Sequence, residues 1–201
     1  SRQTTDPNPE EVMRRIALAL SILLAVATLS PVHAASLAGV SMPDTAEVGG
    51  KQLSLNGLGL RKKLFIKVYV AGLYLETKQS DPAAIFASDT ARRGTMNFVF
   101  DVGKSKICDE GWKAGLADNT PNASAELQAQ FETLCSYMED MKDGEAMLFD
   151  YVPGTGTTVV VKGQTKGTLP SKAFSDALFG CWIGPKPGPG ADFKAALLGK
   201  S

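Results

Sequence analysis

Residues 51–76, KQLSLNGLGLRKKLFIKVYVAGLYLE, leave little choice of local structure. From Lys51 to Leu60 the leucines at 53, 55, 58 and 60 alternate with polar or glycine positions, and from Leu64 to Glu76 both faces are mostly apolar. A period of two over runs this long specifies strands, and the basic Arg61–Lys63 between them reads as a turn, so a hairpin is expected. Strict alternation along its second strand puts Lys67 and Tyr69 on one face with Phe65, Ala71, Leu73 and Leu75. A cation and a phenol on a face otherwise fit for burial need partners. Arg61 stands just upstream. Either the basic run is a solvated turn, or these three residues border a ligand.

The rest of the chain fills in the class. Asp81-Pro82 reads as the N-cap and first residue of a short helix to about Ala87. Thr95–Asp101 reads as a strand with Met96, Phe98 and Phe100 on one face, after a first short strand near Glu47. Ser105–Asp118 and Ser124–Glu139 read as helices joined by a short Asn-Thr-Pro-Asn loop, the second carrying Leu127, Phe131, Leu134, Met138 and Met141 at helical spacing. Glu145–Val152, Thr157–Lys162 and Gln164–Leu169 form a three-stranded meander. Ser171–Ile183 and Ala191–Leu198 close the chain as helices around the stiff GPKPGPG bend. Strands grouped at both ends with helices between them indicate an antiparallel α+β domain.

Met13-Arg14-Arg15, the apolar run Ile16–Leu29 and Val32-His33-Ala34 have the charge, length and small-residue spacing of a secretory signal cleaved after Ala34. The expected organisation is therefore residues 1–34 as upstream residues and signal peptide, and 35–201 as a single domain. Such a protein is expected in the periplasm or secreted by a Sec-type route, with no stable membrane anchor after cleavage. Arg2, Arg14, Arg15 and Asp6, Glu10, Glu11 leave together, so the balance stays neutral, as in the full chain with 21 cations and 21 anions. Neutrality argues against nucleic acid as a partner. His33 is the only histidine and also leaves, which removes Ser-His-Asp and Cys-His nucleophile systems and any His-ligated metal site from the mature chain. Gly57-Leu-Gly59, Pro153-Gly154-Thr155-Gly156 and Glu139–Glu145 lack the spacing of nucleotide or Ca²⁺ loops. No metal and no cofactor is expected.

The three cysteines allow one intramolecular pair, and an oxidising compartment favours it. The two middle helices should run antiparallel, and Cys108 and Cys135 are equidistant from their loop. A Cys108–Cys135 disulfide is therefore expected, with Cys181 free. The alternative is three buried thiols acting as small hydrophobes.

LNGLGLRKKLFIKVYVAGLYLE, MNFVFDVGKSKICDEGWKAGLADN and ALFGCWIGPKPGPGADFKAALLGK together resemble the chalcone isomerase-like family, in its secreted bacterial branch, over about Gly39 to Lys200. The resemblance implies an open-faced β-sandwich, a large antiparallel sheet covered on one face by helices, with a cleft that takes flavonoids in plant enzymes and fatty acids in plastid binding proteins. Arg61 matches the family arginine facing a ligand oxyanion or carboxylate. Tyr69 falls where plant isomerases carry a threonine and the fatty-acid-binding relatives a tyrosine. Lys106 falls at an isomerase active-site tyrosine, Lys113 near a substrate-contacting asparagine, and Cys181 near a cleft threonine or serine. The resemblance thus implies ligand contacts from Arg61, Lys67, Tyr69, Lys106, Lys113 and Cys181. It implies a fatty-acid-like amphipathic ligand, because two isomerase polar positions hold other residue types. If the chain is an enzyme, it implies a cofactor-free intramolecular lyase using Arg61, Tyr69 and Lys106 on a chalcone-like enone.

Overall fold

The structure, a computed structural model, describes residues 34–200 together with Glu10 and Met13. The expected signal segment therefore lies outside the described residues, apart from Met13 and Ala34. Nine strands are described: β1 (Ala34–Leu37), β2 (Val40–Pro43), β3 (Thr45–Val48), β4 (Lys51–Lys63), β5 (Ile66–Leu75), β6 (Arg92–Phe98), β7 (Ala146–Val152), β8 (Gly156–Val161) and β9 (Gln164–Leu169). The helices are α1 (Pro82–Ala87), α2 (Lys106–Lys113, π-helical), α3 (Ala114–Asn119), α4 (Ala125–Tyr137), α5 (Lys172–Ile183) and α6 (Ala191–Leu197). Strands β3 to β9 form one seven-stranded sheet in chain order with every neighbour antiparallel, and β1 and β2, which the sequence patterns did not mark, pair separately as a hairpin. The expected α+β class is the observed one.

Local signals act as expected at several ends. The Asp81 carboxylate accepts the Ala83 N–H with Pro82 opening α1, and the Ser124 hydroxyl accepts the Leu127 N–H to start α4. The middle strand, read as Thr95–Asp101, instead occupies Arg92–Phe98. The long hairpin is also shifted. β4 runs through the basic triplet to Lys63, and Lys63 pairs with Ile66, so the turn is Leu64-Phe65.

Two bulges set which way β4 and β5 face. Leu55 pairs with Tyr74 and Gly57 with Leu73, which leaves Asn56 as an extra residue. Its amide is buried and fully used: Nδ2 donates to the Leu197 and Gln79 carbonyls, and Oδ1 accepts the Gln79 N–H. Past it, Leu58 joins Leu53 and Leu55 in a small apolar cluster with Val48 and Tyr74 on one side of the sheet. Gly57, Gly59 and Arg61 turn to the other side, which the helices cover. The second bulge is at Val68, because Arg61 pairs with Tyr69 but Lys62 pairs with Lys67. Strict alternation fails there. Lys67 points away from the face of Tyr69 and is exposed, correcting the expectation that the two share a face.

The main core lies between the sheet and the helices. Cross-strand rows Ala71–Met96–Met147–Val161 and Leu73–Gly94–Phe149–Val159 meet Phe174, Leu178, Trp182 and Phe193. Glycines let the helices come close. A Cβ at Gly57 would lie 2.1 Å from the Ala196 carbonyl oxygen of α6, and one at Gly94 would lie 2.8 Å from the Trp182 ring of α5.

Candidate functional site

A cavity of about 380 Å³ opens at the β4–β5 turn end of the helix-covered face. Its walls come from β4 and β5 (Arg61, Ile66, Val68, Tyr69), from β6 and the segment after it (Met96, Phe98, Phe100, Val102), from α2 (Lys106, Ile107, Glu110, Trp112) and from α5 and the bend beyond it (Cys181, Trp182, Gly188, Pro189). This volume is within the range typical of small-molecule sites. A wider groove of about 990 Å³ runs beside β4 and α6, lined by Ser36, Asp44, Leu58, Lys62, Lys78 and Asp192 among others. It is an open trough. The smaller cavity is the better site, because in it a fixed cation, a half-buried phenol and aromatic walls converge.

Arg61 and Tyr69 are direct cross-strand partners, an arrangement produced by the two bulges. The Arg61 guanidinium donates from Nη1 to the Gly188 carbonyl oxygen at 2.9 Å, and the Gly188 N–H donates to the Cys181 carbonyl at 3.1 Å. The GPKPGPG bend thus holds the arginine at the mouth with most of its five donors left over. Tyr69 packs 5.7 Å from Phe98 and edge-on 6.0 Å from Phe193, ring to ring. Burial pushes its phenol well above the ordinary range, opposed by the nearby Arg61 charge and the Trp182 indole. Tyr69 is therefore a neutral hydroxyl at any physiological pH, able to donate.

The floor is aromatic. Trp112 and Trp182 lie 6.0 Å apart, and Phe149 packs edge-on against both at 5.3 and 6.3 Å. Trp112 comes from α2, where Ile107 and Trp112, five residues apart, both reach the cavity; this is the spacing of a π-helical turn. The Trp112 indole N–H is buried without an acceptor among the described residues. An unpaired buried donor is costly unless something supplies an acceptor.

Charge at the mouth is unevenly compensated. Lys63 is paired with Glu110 at 2.7 Å, which holds the Glu110 carboxyl below its usual range, and Asp101 is paired with Lys142 at 2.8 Å. Arg61 and Lys106 line the cavity with no ion pair among the described residues, so the mouth carries net positive charge.

Of the residues singled out from the sequence, Arg61, Tyr69, Lys106 and Cys181 line this cavity, whereas Lys67 and Lys113 do not. Lys113 turns outward to Glu132 at 3.0 Å, whose hydrogen bond raises its pKa. The Cys181 thiol donates to the Ala177 carbonyl, and burial pushes it up to about 12, so it presents a small neutral wall group and no thiolate. All three cysteines are free thiols in the structure, where a Cys108–Cys135 bridge was expected. The antiparallel helices do bring the pair together, with Cys108 Sγ 3.5 Å from the Cys135 carbonyl oxygen. Burial raises both thiols above their ordinary range. Sequence reasoning missed Trp112 and Trp182, whose only signal was their place near Lys113 and Cys181, and missed the carbonyl of Gly188.

A sequence model described as chalcone isomerase-like matches residues 34–199. A search of curated proteins finds no match. Among solved structures, a fatty-acid binding protein of Arabidopsis thaliana superposes with a TM-score of 0.66 at 17% identity, covering 83% of this chain and 96% of that one. At this identity the likeness establishes the fold.

Proposed function

The chain belongs to the chalcone isomerase-like family, and on that premise we propose that it binds a small amphipathic carboxylic acid, fatty-acid-like in character, in the cavity between β5 and α2. One observation carries the reading: Arg61, a permanent cation held by the Gly188 carbonyl, stands directly across from the neutral, half-buried Tyr69 at the mouth of an apolar cavity. A guanidinium grips a carboxylate with parallel hydrogen bonds and a phenol adds one directional donor. Lys106 adds positive charge at the mouth, and the unpaired Trp112 N–H offers a donor to an acceptor on the ligand. The ligand tail would lie against Phe98, Ile107 and Trp182. A relative in fold that is a fatty-acid binding protein supports the same class of ligand.

The test is a titration of a fluorescent fatty acid and of its methyl ester against wild type, Arg61→Ala and Tyr69→Phe, with circular dichroism to confirm folding. Hydrogen bonds to a charged group contribute about 1.5–3 kcal/mol, so Arg61→Ala should weaken the acid by roughly tenfold to a hundredfold and the ester far less. Tyr69→Phe should cost less than Arg61→Ala. Equal affinity of all three proteins for the acid would end the carboxylate reading, and turnover of a chalcone by wild type, abolished in Arg61→Ala, would replace it with isomerase chemistry. We also propose export to the periplasm after cleavage behind Ala34. Osmotic-shock release of a protein starting at Ala35 is the expected result, and full-length chain in the cell pellet would overturn it.

A further inference from the structure

The tip of the β4–β5 hairpin is built against the needs of its own fold. Lys63 pairs with Ile66, so Leu64 and Phe65 form a two-residue turn, and Leu64 sits at φ +56°. Tight hairpin turns of this kind prefer glycine, asparagine or aspartate, because a positive φ strains a side-chain-bearing residue. Here the two positions are a leucine and a phenylalanine whose relative exposures are 88% and 100%. They bury nothing. Ile66 and Phe100 beside them are 45% and 46% exposed, so the apolar surface is contiguous with the cavity mouth that Leu64, Ile66 and Phe100 also line.

The collar behind the tip is cationic and repels itself. Lys62 and Lys67 face each other as a cross-strand pair, an arrangement that destabilises a ladder unless an anion lies between or above them. Both are exposed, and neither has an ion pair among the described residues. Lys106 lies at the cavity mouth nearby, and only Lys63 is neutralised, by Glu110. A convex apolar tip with a ring of unpaired lysines complements one surface in particular: apolar side chains enter acyl chains while lysines stay among anionic headgroups. A protein interface of standard size would need a broader and flatter patch.

We propose that the β4–β5 tip docks this protein onto anionic lipid bilayers, inserting Leu64 and Phe65 and seating Lys62, Lys67 and Lys106 at the headgroups, which sets the cavity mouth against the membrane. The proposal concerns the tip and is independent of which molecule the cavity holds. It is tested by cosedimentation of the full chain with phosphatidylcholine vesicles, with and without phosphatidylglycerol. The proteins compared are wild type, Phe65→Ser, Leu64→Gly and the Lys62→Glu/Lys67→Glu pair. All the altered side chains are exposed, so every variant should fold, and Leu64→Gly also relieves the turn. Wild type should bind the anionic vesicles best and release with salt. Phe65→Ser and Leu64→Gly should each weaken that binding about tenfold, and the double charge reversal at least as much. Cosedimentation of the protein beginning at Ala35, run in parallel, keeps any membrane affinity of residues 1–34 from masking the tip. Binding by Leu64→Gly and Phe65→Ser equal to wild type, or no wild-type preference for anionic vesicles, overturns the proposal and gives the tip to a protein partner.

Discussion

Asp176→Asn should destabilise the fold far more than Arg92→Met, although the two residues form one ion pair. Arg92 lies on β6 with its side chain 2% exposed, while the Asp176 side chain on α5 is 29% exposed. Arg92 Nη2 donates to Asp176 Oδ1 at 2.6 Å, and the guanidinium lies 5.0 Å from the Tyr151 ring and 5.4 Å from the Phe179 ring. Its Nε and Nη1 have no partner among the described residues. The guanidinium cannot shed its charge, so removing the carboxylate leaves a buried cation uncompensated, a defect that costs about 3–5 kcal/mol. Asp176 is differently placed. Its other oxygen accepts Lys172 Nζ at 2.6 Å, so it keeps a counter-ion when Arg92 is gone. Met fills the space between the two rings with an adaptable apolar chain and removes two unpaired donors, which offsets the lost cation–π contacts; about 1 kcal/mol is expected. Urea unfolding followed by circular dichroism should show the Asp176→Asn midpoint lowered by about 2 M at a slope near 2 kcal/mol per molar, and the Arg92→Met midpoint lowered by a fraction of that. Arg92→Met proving as costly as Asp176→Asn, at unchanged slope, would refute the reasoning.

Gly57→Ala should cost about 3 kcal/mol or more and weaken ligand binding, because the new methyl meets the backbone oxygens of Ala196 and Leu197 and must displace α6 with Phe193, the neighbour of Tyr69. Gly103→Ala, whose Cβ would meet nothing nearer than Asp140 Oδ1 at 3.7 Å, should stay within about 0.5 kcal/mol of wild type by the same urea assay. The folded state holds Cys181 protonated to about pH 12 while the unfolded chain loses that proton near its ordinary value of 9, so the native state binds the extra proton between them. Stability should therefore fall as pH rises from about 9 toward 12, by about 1.4 kcal/mol per pH unit from this group, and the slope should flatten in Cys181→Ala. A thiol reagent at neutral pH should find no fast-reacting cysteine in the native protein and three in denaturant without reductant; a single thiol in denaturant would restore the Cys108–Cys135 bridge.

The sequence by itself determined most element types, though not the β1–β2 hairpin, because periodicity and capping act over a few residues and need no knowledge of the partner. The meander, the Asp81 and Ser124 caps and the antiparallel α+β class were all legible in this way. So were Arg61 and Tyr69 as a pair, through the motif that carries the family resemblance. Even the bulge at Asn56 left a trace: the leucines at 53, 55, 58 and 60 change phase between 55 and 58. What only the tertiary structure decided is the facing of side chains past each bulge. A single extra residue reverses every later position, and whether a strand takes one in depends on what its neighbour pairs with. At Val68 that choice sends Lys67 to the outside and leaves Tyr69 opposite Arg61. The same dependence hid the cavity. Its floor of Trp112 and Trp182 comes from segments seventy residues apart, brought together where Gly94 lies against Trp182 and Gly115 against Cys181, and no local pattern records such a meeting.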